Sequence, residues 1–204
     1  MNVDNIFEII ALGNHRGNIR LIERGIRTLT RPVNVHWEDD YFDPLLSLKV
    51  VNGIYSNISV NWDVISPVPS HDNSIGPAQL FANVLSNIWN IPRIDLLSRK
   101  IKQKSAHDSI KRPIVEDHKR TIGVNIHLDL LKKKVLLVDN AIGTGFTITA
   151  ALELLSNNGY DVTNICCISI DEQLFRPDLI RSIIKPKVLR IRYIYAEDGV
   201  LLQR

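Results

Sequence analysis

The stretch Val135-Leu136-Leu137-Val138-Asp139-Asn140-Ala141-Ile142-Gly143-Thr144-Gly145-Phe146-Thr147 decides the architecture. Its opening run is apolar without a break, as in a strand covered on both faces; a strand wet on one face would alternate. Beyond it, Ile148, Ala151, Leu152 and Leu155 recur at helical spacing, and Gly159 is placed to end that helix. Ile165-Cys166-Cys167-Ile168 is a second buried run. Strand, helix and strand in that order make one βαβ crossover. The expected fold is therefore α/β, a mainly parallel sheet with flanking helices.

Working upstream, Trp62 to Ser66 reads as a strand that runs into the turn-rich Pro67-Val68-Pro69-Ser70-His71-Asp72-Asn73-Ser74. A helix opens near Gly76-Pro77, since proline suits the first helical position, and Leu80, Phe81, Val84, Leu85, Ile88 and Trp89 give it one apolar face. Arg93 to Leu97 reads as a further strand. Residues 99–120 form a long polar excursion carrying Arg99, Lys100, Lys102, Lys104, Lys111, Arg112, Lys119 and Arg120, and Thr121 to Leu128 returns to alternation. The first 60 or so residues suggest irregular structure with one or two helices.

Composition bounds the rest. With 204 residues, 45% of them apolar, the chain is long enough for one domain with a sizeable core. A net charge of +3 is too small to indicate nucleic acid, and the adjacent Cys166 and Cys167 build neither a disulfide framework nor a cysteine-rich zinc site. The sequence carries no apolar stretch long enough for a membrane span and no signal-peptide pattern at its start. A cytoplasmic protein is the expectation.

The glycine-threonine-glycine turn between a buried strand and a helix is a ready anion site. Glycines let backbone amides approach a ligand, and the first helical turn has N–H groups to spare. A plain structural turn with a threonine cap uses the same residues. No Lys-Ser or Lys-Thr follows the glycines, against a Walker-type loop. A dinucleotide turn fits poorly, because Ile148 stands where the third glycine belongs. Asp139, at the carboxyl end of the strand, suits a ligand with ribose hydroxyls close to a phosphate.

The 13-residue stretch resembles the phosphoribosyl-pyrophosphate signature of type I phosphoribosyltransferases: four apolar residues, two acids, a spacer, Thr-Gly and a final Thr. The ComF-like branch is the most similar, on Pro67-Val68-Pro69 after an early strand, Gln79 in the following helix and a basic segment before the signature. The resemblance spans roughly residues 60–170, with 1–60 and 171–204 left as periphery and a small hood around a single domain. This sequence departs at Asn140, where the family has its second acid, and at Gly143, where it has a threonine. It also lacks the cysteines of a ComF-type zinc module.

The resemblance implies transfer of a 5-phosphoribosyl group from phosphoribosyl pyrophosphate to a nitrogen acceptor, with release of pyrophosphate. Asp139 and Asn140 take the catalytic positions. Ala141, Ile142, Gly143, Thr144, Gly145, Phe146 and Thr147 hold the 5-phosphate. Pro69, Ser70, His71, Arg99, Lys100 and Lys104 lie against the pyrophosphate. Mg²⁺ is implied with the substrate, its protein contacts limited to Asp139 if any, and a homodimer is implied as partner arrangement. The base is not identified; Asp171-Glu172-Gln173 either faces its pocket or caps the next helix. His107 and His118 read as exposed residues of the basic excursion, and Glu38, Asp39, Asp40 and Asp43 beside His36 as a solvated loop. The Asn140 departure leaves a second reading open, a sensor of phosphoribosyl pyrophosphate or a nucleotide, and a nucleotide-dependent oxidoreductase is a third.

Overall fold

The computed structural model describes residues 6–14, 58–72, 74–102, 113–171, 173–185 and 187–194. The elements run β1 (Ile6–Asn14), β2 (Val64–Pro67), α1 (Pro77–Trp89), β3 (Leu97–Arg99), α2 (Val115–Thr121), β4 (Ile122–Val124), β5 (Lys134–Ile142), α3 (Phe146–Asn157), β6 (Asp161–Ile170), α4 (Pro177–Ile183) and β7 (Val188–Tyr193). Five strands form one sheet in the order β2-β5-β6-β1-β7, with every neighbouring pair parallel, while β3 and β4 make a separate antiparallel pair.

The unbroken apolar run of β5 has the cause expected of it. Val135 and Leu137 point to one face, packed with Leu96, Leu97 and Ile122 and with Ile148, Ala151 and Leu155 of α3. Leu136 and Val138 point to the other, packed with Phe81, Ala82 and Leu85 of α1. The adjacent cysteines divide in the same way, Cys167 to the α3 face and Cys166 to the α1 face. Both are free and buried, and burial pushes the Cys166 thiol up to about 12, so neither is a nucleophile at neutral pH.

Several expected boundaries move. β5 continues past Val138 to Ile142, because pairing with β6 holds through Ile142 and Ile170. Asp139 thus lies within the strand rather than at its end. Arg93 makes a single bridge to Ile65, and the strand starts at Leu97. Leu96 N–H turns back to Ile94 O and Ser66 Oγ, which ends the approach to β2 and sends the chain into the small pair. Of Thr121–Leu128, Ile122–Val124 is strand, and α2 precedes it inside the stretch read as a polar excursion.

The terminal segments, expected as hood and periphery with one or two helices in the first, supply two of the five main strands. β1 lies between β6 and β7, with Phe7, Ile9, Ile10, Ala11 and Leu12 buried. A charged residue interrupts this strand, and its partner lies far away in sequence: Glu8 takes a two-pronged contact from Arg192, Nε to Oε1 and Nη2 to Oε2, both at 2.9 Å. No helix among the described residues is long and apolar enough to cross a membrane. The acidic residues near 38–43, His36, His107 and Lys104 lie outside the described residues.

Candidate functional site

The carboxyl end of β5 turns into α3 through Gly143, Thr144 and Gly145. Gly145 is the helix N-cap with φ of 86°, a left-handed conformation that costs any L side chain energy. A Cβ there would also meet the Phe175 ring at 3.1 Å. Gly143 has neither constraint, since a Cβ at that position finds nothing within 4 Å. Gly143 borders the open cavity that the turn lines.

A purely structural turn would cap the helix with a threonine hydroxyl. Instead α3 has no side-chain cap; Thr144 Oγ1 is 3.5 Å from Phe146 N, at the limit of a hydrogen bond. Thr149 N–H is the first to reach a carbonyl of the turn, that of Gly145, at 2.9 Å. The N–H groups before it, of Thr147 and Ile148, have no intrahelical acceptor and carry the positive end of the helix dipole. This is the donor arrangement that holds a phosphate.

These N–H groups border a cavity of about 310 Å³ lined by Asp139 and by Ala141 to Ile148, with Pro113, His118, Asp171 and Leu174 around it. Asp139 is 9% exposed. Its Oδ1 accepts the Asn140 N–H at 2.8 Å, and the Ala141 N–H also favours the carboxylate, yet burial wins and pushes the carboxyl up to about 7. Strand alternation puts Asp139 and Ala141 on the cavity side, and Asn140 is not part of the lining. A wider hollow of about 580 Å³ lies elsewhere, lined by Asn83, Ser86, Arg93, Ile94, Asp95 and His127. Its arginine is engaged in a fork with Asp95 and Asn83, and no signature residue reaches it.

The Pro67-Val68-Pro69-Ser70-His71 turn lies beside the end of β5, held by Val68 N–H on Val138 O at 2.8 Å. Gln79 ties it to α1, donating to Val68 O and accepting from Gly76 N–H. Asp72 closes it by accepting from Ser74 N–H at 3.0 Å and Ser74 Oγ at 2.6 Å, contacts that hold its carboxyl down at about 2. His71 is exposed. Arg99 is 4% exposed; its Nε donates to Ser70 O and its Nη1 to Thr121 Oγ1, so it braces the turn. Lys100 is exposed, its aliphatic stem lying over Gly123.

His118 differs most from its expected setting. It is 7% exposed, not solvated, and its Nε2 lies 3.2 Å from Thr147 Oγ1. The sequence holds no local signal for this, because α2 and α3 meet only in the fold. Asp171 lines the cavity and also organises its own turn, accepting from Gln173 N–H. Phe175 and Leu174, unmarked in the sequence, pack on Gly145 and line the cavity respectively, and Arg176 N–H donates to Thr144 O.

The sequence pattern of the phosphoribosyl transferase domain matches residues 39–177. Among solved structures, adenine phosphoribosyltransferase from Thermoanaerobacter pseudethanolicus superposes with a TM-score of 0.51 at 15% identity, covering 74% of this chain and 81% of that one. Adenine phosphoribosyltransferase from Saccharomyces cerevisiae gives 0.47 at 14% identity, over 73% of this chain and 79% of the other. A purine phosphoribosyltransferase from Pyrococcus horikoshii covers 97% of this chain and 100% of its own, with a TM-score of 0.38 and 16% identity. The first of these bears on the fold, and none bears on the substrate. No curated protein matches the chain.

Proposed function

The chain belongs to the phosphoribosyl transferase domain family, and on that premise we propose that it moves a 5-phosphoribosyl group from phosphoribosyl pyrophosphate to a nitrogen acceptor. The observation that carries this reading is the joining, in one cavity, of an uncapped helix start behind a left-handed Gly145 with the buried carboxyl of Asp139. The first suits the 5-phosphate. The second suits ribose hydroxyls a few ångströms away.

In the reaction the bond from C1 to the pyrophosphate oxygen breaks, a nitrogen lone pair forms the new bond at C1, and the acceptor loses a proton. Positive charge grows on the sugar and negative charge on the leaving group. Asp139 accepts from the ribose hydroxyls and, once ionised, adds negative potential beneath the cationic sugar. The Pro69-Ser70-His71 turn, braced by Arg99, would take the pyrophosphate side, with Lys100 as a further cation. Among the described residues there is no cluster of three or more His, Cys, Asp or Glu able to hold a metal. Mg²⁺ would enter with the substrate's phosphates and neutralise the departing pyrophosphate, with Asp139 and Asp171 the cavity carboxylates able to approach it. Within the family, the Pro67-Val68-Pro69 turn and the Gln79 bridge to it favour the ComF-like branch, and the family resemblance favours a homodimer in the cytoplasm.

Asn140 motivates the sensor alternative. Its absence from the cavity lining, where Asp139 keeps the carboxylate, favours an active enzyme. Pyrophosphate release is the test, measured over purine, pyrimidine and amine acceptors for wild type, Asp139→Asn and Asn140→Asp. Wild type is expected to turn over with at least one acceptor, and Asp139→Asn to lose turnover more than affinity. No release from wild type or Asn140→Asp, with phosphoribosyl pyrophosphate still bound, moves the function to sensing.

A further inference from the structure

His118 reaches the cavity from α2, a helix outside the signature, and α2 is fixed against α3 by Lys119, whose Nζ lies 2.9 Å from Glu153 Oε1. The imidazole is buried, with one nitrogen on Thr147 Oγ1 and the other, Nδ1, without a partner. Burial and the nearby Arg99 charge outweigh Asp117 and bring its pKa down to about 4, so the ring is neutral at physiological pH. A neutral imidazole has one N–H to place. On Nδ1 it would be a buried donor with no acceptor, whereas on Nε2 it leaves a bare lone pair at Nδ1 and donates to Thr147 Oγ1. Orphaned buried donors are the rarer and costlier of the two, so hydrogen-bond accounting assigns the Nε2–H tautomer.

That assignment fixes the threonine. With an Oγ1 lone pair occupied by His118, the hydroxyl proton points elsewhere, and Thr147 makes no other side-chain hydrogen bond among the described residues. We propose that His118 is a positioning residue that turns the Thr147 O–H into the cavity, where it donates to a phosphate oxygen alongside the loop N–H groups. The inference rests on reading the loop as the 5-phosphate site. It makes that end of the cavity a set of donors, suited to a phosphomonoester and unsuited to a ligand end that itself donates.

The test is a double-mutant cycle read by calorimetric titration with ribose 5-phosphate, with the melting temperature of each variant recorded. Thr147→Val is expected to weaken binding about tenfold, the scale of one hydrogen bond to a charged group, and His118→Leu about three- to tenfold. Combining them is expected to cost no more than Thr147→Val alone, because His118 acts through that hydroxyl. His118→Gln, whose Nε2–H can reach Oγ1, is expected to restore most of the affinity. His118→Leu also removes an unpartnered buried atom, so its melting temperature is expected to hold or rise. Additive losses, or a glutamine variant as weak as leucine, overturn the inference while leaving the phosphate site standing. Wild-type protein that binds neither ribose 5-phosphate nor phosphoribosyl pyrophosphate overturns both.

Discussion

Burial lifts the Asp139 carboxyl from 3.8 to about 7, and the Asn140 and Ala141 N–H groups do not reverse it. Between those values the folded state holds a proton that the unfolded chain has released. Stability therefore falls as pH rises from about 4 to 7 and is flat above, a penalty of roughly 4 kcal/mol at most. Asp139→Asn removes that penalty. The variant's melting temperature is expected to exceed wild type by more at pH 8 than at pH 5, while it binds phosphoribosyl pyrophosphate less well. Equal gains at both pH values, or none, would show that the carboxyl does not titrate in this range. A ligand needing the carboxylate binds wild type more weakly below pH 7, so affinity and stability move in opposite directions through one residue. Asp139 was legible in the sequence because its value comes from its place at the end of an apolar run. His118 was not, because its burial depends on Thr147, Arg99 and α3 arriving from elsewhere.

At the level of elements, the β5–α3–β6 crossover could be read because covering on both faces leaves a continuous apolar run, and helical spacing between the runs leaves no rival. α2 could not be read: its seven residues Val115–Thr121 hold one buried side chain, His118, and no apolar stripe. It is fixed instead by its Lys119–Glu153 contact and by packing on α3. The two glycines of the turn between β5 and α3 look equivalent in sequence and are not. Gly145 has a left-handed φ and Phe175 against it, so Gly145→Ala is expected to cost roughly 1–2 kcal/mol, lowering the melting temperature about 2–8 °C. Gly143→Ala has open space and is expected to melt with wild type, its effect confined to ligand affinity where the new methyl meets the cavity. Thermal melts of both variants without ligand check this. Equal destabilisation would mean that the turn's left-handed residue is misassigned.

Over the whole molecule, the stretch that identifies the family and the stretch that folds are not the same. The family pattern matches residues 39–177, whereas the sheet takes β1 from before that interval and β7 from after it. β1 is an interior strand, hydrogen-bonded to β6 on one side and β7 on the other. Its Phe7, Ile9, Ile10 and Leu12 are each 1% exposed or less, and at about 1.5–3 kcal/mol per side chain their burial rivals the entire net stability of a typical domain. Removing β1 also leaves one backbone edge of β6 without its hydrogen-bond partner, while the other edge stays paired with β5. The sequence held a sign of this in Ile9-Ile10-Ala11-Leu12, a run of the same kind as Val135–Val138, but Glu8 beside it argues for a surface segment until Arg192 is seen across from it. Deletion of residues 1–14 is therefore expected to abolish cooperative unfolding and leave an aggregating chain, although every signature residue remains. Circular dichroism melts and limited proteolysis of the shortened protein decide the matter. A sharp melt with protease-resistant residues 58–194 would show that the matched region folds alone and that β1 is an addition to a complete sheet.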